Sequence, residues 1–422
     1  MRMTAGEIAR VVGGELQGNA DVSVLGAEVD SRRLEEGDLY VALAGARSDG
    51  HEFVGAALET AAAALVCRDA DLAAPPAGRA LVRVDDPLAA YHELARRERR
   101  GHPWRIAAVT GSVGKTTTKD FLAALLAPHH RLGVSTGNRN NTLGLPAELL
   151  SQDPGIEVFV AEAGMSTPGE LAILGEILRP QLLLYTRIAP VHTEFFPDLA
   201  GIVRAKAELL PWLDEEGTLV INADDPNQEG YPAETGARVI RYGGEVSEAR
   251  LEEVEDRGLL GSRFRLVLPD GEAAVELALP GVHQAENLLA AAAAASAFGV
   301  RVDQVAEIAP DLQAPEHRGR VFFLADDISL VDDSYNASPV AMRRLLELLA
   351  RASGRRVAVL GEMYELGELA LQAHRDVGEE AAGSCDVLVV VGGGNATILA
   401  AAALEAGLAD GAVHVVESAD EA

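Results

Sequence analysis

The residues best suited to chemistry are Thr110, Gly111, Ser112, Val113, Gly114, Lys115, Thr116 and Thr117, which follow an apolar run over 106–110 and open an amphipathic one over 115–126. A glycine-bearing turn between strand and helix lets main-chain N–H groups converge on an anion, and the helix N-terminus adds partial positive charge. Lys115 supplies a point charge for outer phosphates, and the Thr116 hydroxyl is placed to ligate Mg²⁺. Val109 stands where the strict G-x-x-x-x-G-K-[ST] pattern has glycine. The segment predicts a variant NTP phosphate loop, with Gly111 to Thr117 as its nucleotide contacts.

Lysine use is selective. Of 36 basic residues only three are lysine: Lys115, Lys119 and Lys206. A chain that uses arginine elsewhere keeps lysine where a primary amine is required, because guanidinium and ammonium differ in phosphate and carbonyl chemistry. Glu162 ends an apolar run over 158–161 and is a good hard-cation ligand. His192 follows the run 182–185 and reads as either a ligand or a structural histidine. Asn140 and Asn141 read as turn formers or as amide donors to ligand oxygens. Later, Asp332, Asp333, Tyr335 and Asn336 sit between a strand over 328–331 and a helix over 339–352, with Ser338 and Pro339 as Ncap and N1. Glu362 and Glu365 follow the next strand on the same sheet edge, and His374 lies on the next helix.

These residues need elements to hold them, and the apolar pattern supplies three α/β units. Residues 1–101 read as a small α/β domain with strands over 38–43 and 64–67, a helix over 53–62, and a charged linker over 96–104. Residues 102–314 read as the nucleotide-binding domain that carries the phosphate loop. Its short apolar runs at 106–110, 158–161, 182–185 and 219–221 alternate with helical segments, which predicts a parallel sheet covered on both faces. A hairpin over 264–279 and an Ala-rich helix over 284–298 follow. After a second linker around 310–319, residues 315–422 repeat the βα rhythm as a Rossmann-like domain. The expected architecture is a central phosphate-loop sheet flanked by these two smaller domains.

The net charge of −29 argues against nucleic acid and anionic membranes as partners, since both need basic surface. No run approaches the ~20 apolar residues of a spanning helix, and the N-terminus shows no signal-peptide pattern. The two cysteines, Cys67 and Cys385, sit in apolar contexts and read as core thiols of a cytoplasmic protein.

The phosphate loop resembles that of the Mur ligases, which share the missing early glycine. Further segments match in order. Gly137-Asn-Arg-Asn-Asn-Thr-Leu-Gly144 resembles the family's Asn-rich loop, and Ala161-Glu-Ala-Gly164 its metal-binding strand end. Ala189-Pro-Val-His192 with Ala205-Lys-Ala-Glu208 resembles its His and modified-Lys pair. Asn222-Ala-Asp-Asp225 and His283-Gln-Ala-Glu-Asn287 resemble its adenine-side contacts, and Pro315-Glu-His-Arg-Gly-Arg320 the entry to its third domain. Asp30-Ser-Arg32 and Asp49-Gly-His51 resemble its UDP-binding domain. Val331-Asp-Asp-Ser-Tyr-Asn-Ala337 and Leu360-Gly-Glu-Met-Tyr-Glu-Leu-Gly367 are similar to the member that handles a dipeptide. The family pattern runs on through a last strand and a Lys-Gly-Ser-Arg stretch, which does not occur before Ala422.

The resemblance implies an ATP- and Mg²⁺-dependent, ADP-forming ligase. It would phosphorylate the free carboxylate of a UDP-muramoyl-tripeptide and join it to D-alanyl-D-alanine, in peptidoglycan precursor synthesis. Lys115, Glu162, His192, Lys206 and Arg320 would be catalytic. Thr116, Glu162, His192 and a carbamylated Lys206 would hold metal. Asn222, Asp225, His283 and Asn287 would join the phosphate loop in holding ATP. Ser31, Arg32, Asp49 and His51 would hold the uridine end. Asn140, Asn141, Asp332, Asp333, Tyr335, Asn336 and Glu362 would meet the remaining substrate, in a monomer. Alternatives are a sister ligase adding an amino acid to the UDP-muramoyl-dipeptide, a folylpolyglutamate synthase-like ligase, and a phosphate-loop switch or transport NTPase.

Overall fold

The computed structural model describes every residue except 46–47, 191–193 and 197. At its centre is a six-stranded, fully parallel sheet. Its spatial order is Arg238–Tyr242, Thr218–Asn222, Leu182–Tyr185, Arg105–Thr110, Val158–Glu162, Leu132–Val134. These strands read as continuous apolar runs because both faces are covered. The chain moves to one side of Arg105–Thr110 for the next two strands and to the other side for the last three. That reversal opens a crevice at the C-terminal end of Arg105–Thr110, where α/β folds bind ligands.

One face is covered by helices Lys115–Leu126 and Val282–Ser296. The Ala-rich stretch of the second helix is almost wholly buried, against Phe121, Leu122 and Leu125 on one side and Phe264, Leu266 and Val275 on the other. Small side chains let the backbones approach, so the alanines serve packing. The expected hairpin is a three-stranded antiparallel sheet, Arg250–Asp256, Ser262–Leu268 and Gly271–Leu277. Its first strand, rich in acidic residues, lacks the apolar alternation that would have announced it. The Ala-rich helix, expected from residue 284, begins at Val282, so Asn287 lies in its second turn.

The N-terminal unit is a five-stranded sheet in the order Glu15–Gly18, Ala80–Val84, Ala63–Cys67, Asp38–Val41, Gly26–Glu28, parallel except for its first edge strand. The stretch expected as a charged linker is largely helix. Pro87–Gly101 starts cleanly because Asp86 accepts from Leu88 N and Ala89 N with Pro87 at N1. Its Arg99 is buried, and Nε donates to the Leu178 carbonyl at 2.7 Å. Charge there marks long side chains reaching across an interface, with their stems packed. One apolar cluster runs from Ile8, Tyr91 and Leu94 through Leu145, Phe159 and Ile202, so the N-terminal sheet and the central sheet share a core.

The C-terminal part has its own core around Leu346, Val377, Leu388 and Leu399. Its parallel sheet is Val357–Gly361, Val387–Val391, Val413–Val416. The strand expected at 328–331, observed as Ser329–Asp332, pairs antiparallel with Arg320–Phe323 in a separate hairpin. Periodicity reports a strand but not its partner. Among the described residues no helix is long and apolar enough to cross a membrane.

Candidate active site

The phosphate loop lies at the C-terminal end of the central strand. Gly111 has φ +139° and Gly114 φ +86°. A Cβ on Gly111 would fall 2.0 Å from Thr186 Oγ1, and one on Gly114 would fall 2.5 Å from Asn287 Oδ1. Only glycine fits either position. Ser112 N donates to the Arg187 carbonyl at 2.8 Å and Val113 N at 3.3 Å, so those two N–H groups brace the loop. The first helical bond runs from Thr118 N to the Gly114 carbonyl at 2.9 Å. This leaves the N–H groups of Lys115, Thr116 and Thr117 at the open helix start, where an anion is favoured. Lys115 Nζ donates to the Ser112 carbonyl at 3.2 Å. Desolvation by the protein around its stem holds the ammonium below the usual lysine pKa, opposed by Glu162 and reinforced by Arg318.

Glu162 is buried, and both its oxygens are engaged. Thr116 Oγ1 donates to Oε2 at 2.7 Å and Asn140 Nδ2 donates to Oε1 at 2.8 Å. Its own N–H donates to Ser135 Oγ at 2.9 Å. A carboxylate has about four lone-pair directions, so each oxygen keeps capacity for a cation. With the Thr116 hydroxyl this is an all-oxygen donor set that suits Mg²⁺. Lys206, in the last turn of helix Leu199–Ala207, is 2% exposed. Burial, then the charge of Lys115, pushes its pKa well down, against the pull of Glu162, Glu170 and Glu208. His192 lies outside the described residues.

One cleft of about 590 Å³ joins this region to the C-terminal part. Ser112 to Thr117, Asn140, Asn141, Glu162, His283 and Asn287 line one side; Asp333, Tyr335 and Asn336 line the other. Asp333 is pushed up to about 6 by burial, with Arg318 opposing. Burial pushes His283 down to about 4, with Arg344 adding to that, so its imidazole is neutral. Asn287 Nδ2 donates to Gln284 Oε1 at 3.3 Å beside the loop.

Other expected residues lie elsewhere. Arg320 is exposed on its strand and sits over the Phe322 ring at 5.1 Å, whereas Arg318 lines the cleft, 3.9 Å from the Tyr335 ring centre. Asp332 lies behind the lining and accepts from Ser334 Oγ and His317 Nδ1, both at 2.7 Å. Glu362 accepts from Asn395 N at 2.8 Å and Gly393 N at 3.2 Å, which closes the start of helix Gly394–Glu405, while Glu365 reaches the cleft. His374 is buried, with Nδ1 donating to the Ala370 carbonyl and Nε2 accepting from Met363 N. Asp225 is buried behind the sheet edge and accepts from Ile188 N, Asn227 N and Gln228 Nε2. Asn222 caps the neighbouring turn through Asp224 N.

In the N-terminal sheet, Arg32 pairs with Asp30 at 2.6 Å beside Ser31. His51 Nδ1 lies 2.6 Å from Asp49 Oδ1, and Nε2 accepts from Cys67 N at 2.9 Å. These residues share one end of that sheet, away from the cleft lining. Sequence reasoning passed over Arg318, Arg344, Gln284 and Asn138, all of which line the cleft. Arg318 carried a signal, since it shares the segment 315–320 with Arg320.

Comparison with known proteins gives a consistent pattern. The profile described as Mur ligase middle domain matches residues 109–295; that described as Mur ligase, glutamate ligase domain matches 317–422; and Mur ligase family, catalytic domain matches 24–99. The Escherichia coli UDP-N-acetylmuramoyl-tripeptide--D-alanyl-D-alanine ligase is 35% identical over 394 residues, covering 92% of this chain and 86% of that protein. The Bacillus subtilis protein of the same name is 33% identical over 384 residues, covering 90% and 82%. A crystal structure of MurF from Acinetobacter baumannii superposes with TM-score 0.88 at 28% identity, covering 100% of this chain and 91% of that one. The Thermotoga maritima MurF ligase in complex with ADP gives 0.78 at 27% identity, covering 93% of each.

Proposed function

This chain belongs to the Mur ligase family, and we propose that it joins D-alanyl-D-alanine to a UDP-N-acetylmuramoyl-tripeptide with cleavage of ATP to ADP and phosphate. The observation that carries the reading is the single cleft that opens onto the phosphate loop, Glu162 and the Asp333–Asn336 turn together. A switch NTPase has no use for that third wall. The Escherichia coli and Bacillus subtilis relatives carry that substrate pair in their names.

Two displacements describe the reaction. A tripeptide carboxylate oxygen attacks the γ-phosphorus, the bond to the β-bridging oxygen breaks, and ADP leaves. The dipeptide amine then attacks the acyl carbon, the C–O bond breaks, and phosphate leaves with the bonding pair while the nitrogen loses a proton. The N–H groups of residues 115–117 and the Lys115 ammonium hold phosphate oxygens, which is most of what phosphoryl transfer asks of a protein. Thr116 and Glu162 would hold Mg²⁺, which would supply charge neutralisation for phosphoryl transfer. Arg318, facing Lys115 across the cleft, adds positive charge from the other wall. Asp333 holds the incoming ammonium and, with a pKa of about 6, accepts its proton near neutrality.

Carbamylation of Lys206 is part of this reading. Burial and the Lys115 charge both disfavour the ammonium form of Lys206, and the neutral amine is the form that attacks CO₂, giving a carbamate and a proton. The product carries negative charge where the ammonium would face Lys115, so the modification relieves a like-charge contact. Ser31, Arg32, Asp49 and His51 are proposed for the uridine end, with Asn140 and Asn141 for the sugar–peptide portion. The free thiols Cys67 and Cys385 suit a reducing cytoplasm.

The test is a matrix of amines against UDP-linked acceptors, read by phosphate release and product mass. D-alanyl-D-alanine with the tripeptide substrate is the productive pair. Product from a single amino acid on the UDP-muramoyl-dipeptide would assign the chain to a sister activity.

A further inference from the structure

The loop that presents Asn138, Asn140 and Asn141 to the cleft carries Arg139 in its middle, and that side chain leaves the cleft. Arg139 pairs with Glu28 of the N-terminal sheet at 2.9 Å and with Glu148 of helix Gly144–Leu150 at 3.0 Å. The side chains of Glu28 and Glu148 are 7% and 10% exposed, so this is one cation between two nearly buried carboxylates. Each carboxylate is itself fixed. Glu28 accepts from Val29 N and Asp30 N, directly before Ser31 and Arg32. Glu148 accepts from Thr136 N and Thr136 Oγ1 at the start of the loop.

The far end of the loop is held by the same N-terminal unit. Tyr91 Oη donates to the Leu143 carbonyl and His92 Nε2 to the Thr142 carbonyl, both at 2.8 Å. On its cleft side the loop meets Glu162 through Asn140 Nδ2 and takes the Gly164 N–H on the Asn140 carbonyl at 2.7 Å. A chain of direct contacts therefore runs from the segment proposed for the uridine end, through Glu28 and Arg139, to the carboxylate proposed for metal.

We propose that Arg139 is a positioning residue that sets the register of the Asn138–Asn141 loop and so holds Asn140 against Glu162. The proposal rests on the reading of Glu162 as a metal ligand. Stability alone is a poor reason for the triad, since buried ion triads are often replaceable by uncharged groups without loss of fold. Fixing one loop register between two packed units is the better-attested use of such a group. Groups that orient metal ligands typically carry 10- to 100-fold of affinity or activity.

The experiment compares the full chain with R139K, R139M and the triple variant E28Q/R139M/E148Q, which removes the charges but keeps acceptors for the 29, 30 and 136 N–H groups. Affinity for a non-hydrolysable ATP analogue is measured by calorimetry with and without Mg²⁺, alongside kcat and thermal unfolding. In R139M and the triple variant, the Mg²⁺-dependent gain in affinity and kcat are each expected to fall about 10- to 100-fold. Metal-free nucleotide affinity stays unchanged, the triple variant unfolds at the parent's temperature or above, and R139K lies between. A folded R139M or triple variant with the parent's Mg²⁺ response and kcat would overturn the proposal. Failure of the triple variant to fold would also overturn it, because Arg139 would then be needed for the fold itself. Glu162→Gln, run in parallel, separates the two claims: an intact Mg²⁺ response there removes the metal reading, whereas its loss there with a normal R139M removes only the role of Arg139.

Discussion

Glu162→Gln is the sharpest single perturbation of the site. Glu162 is 3% exposed and accepts two side-chain hydrogen bonds, from Thr116 at 2.7 Å and Asn140 at 2.8 Å. Glutamine has the same shape. Its carbonyl can face Asn140 Nδ2 while its amide donates to Thr116 Oγ1, whose hydroxyl turns to donate elsewhere. Hydrogen bonds to a charged acceptor contribute ~1.5–3 kcal/mol against ~0.5–1.5 for neutral ones, so two bonds lose roughly 2–3 kcal/mol. Relief from burying a carboxylate offsets part of this. The folded state should therefore survive, with an unfolding temperature lower by only a few degrees. Turnover should behave differently. Metal contributes several kcal/mol of charge stabilisation, and losing ~4 kcal/mol slows a reaction on the order of 10³-fold. The assay is steady-state phosphate release across a Mg²⁺ titration, with thermal unfolding of the same preparations. A folded variant that keeps near-normal turnover and Mg²⁺ demand would refute the assignment of Glu162.

Lys115→Ala should fold and lose turnover by several orders of magnitude, measured as phosphate release. Lys206→Arg should be nearly inactive, because a guanidinium cannot form the carbamate; Lys206→Ala should recover partly with added short carboxylic acids, and intact mass should show the carbamate only in the parent under CO₂. Asp333, raised to about 6, is protonated below that pH in the fold, so kcat/KM for the dipeptide should fall as pH drops through 6, a limb that Asp333→Asn should lack. Asn336→Ala should raise the KM for the dipeptide far more than the KM for ATP.

The legible parts of the site were those built from neighbours in sequence. The phosphate loop needs only a strand, two glycines, a lysine and a helix start, all within residues 105–126. Glu162 was legible because a carboxylate ending a buried parallel strand must lie at the ligand edge of the sheet. What escaped depends on pairings far apart in the chain. The roles of Glu362 as cap for residues 393–395 and of Asp225 as acceptor for Ile188 N are set by contacts across 31 and 37 residues. The choice between Arg318 and Arg320 turns on local backbone: His317 at φ +59° and Gly319 at φ +78° aim Arg318 at the cleft and leave Arg320 on the outer face of the hairpin. Charge in 96–104 suggested a linker, yet Arg99 lies in a helix and donates to the carbonyls of 178, 179 and 102 and to Gln181 Oε1.

In the proposed reaction the tripeptide carboxylate is phosphorylated before the amine attacks, and the oxygen atoms report on it. With ¹⁸O in that carboxylate, the bridging oxygen of the acyl phosphate departs with phosphate when the acyl C–O bond breaks. Each phosphate released during ligation should then carry one labelled oxygen, seen by mass spectrometry or by the ³¹P isotope shift. Phosphate free of label, formed while the peptide bond is made, would contradict it.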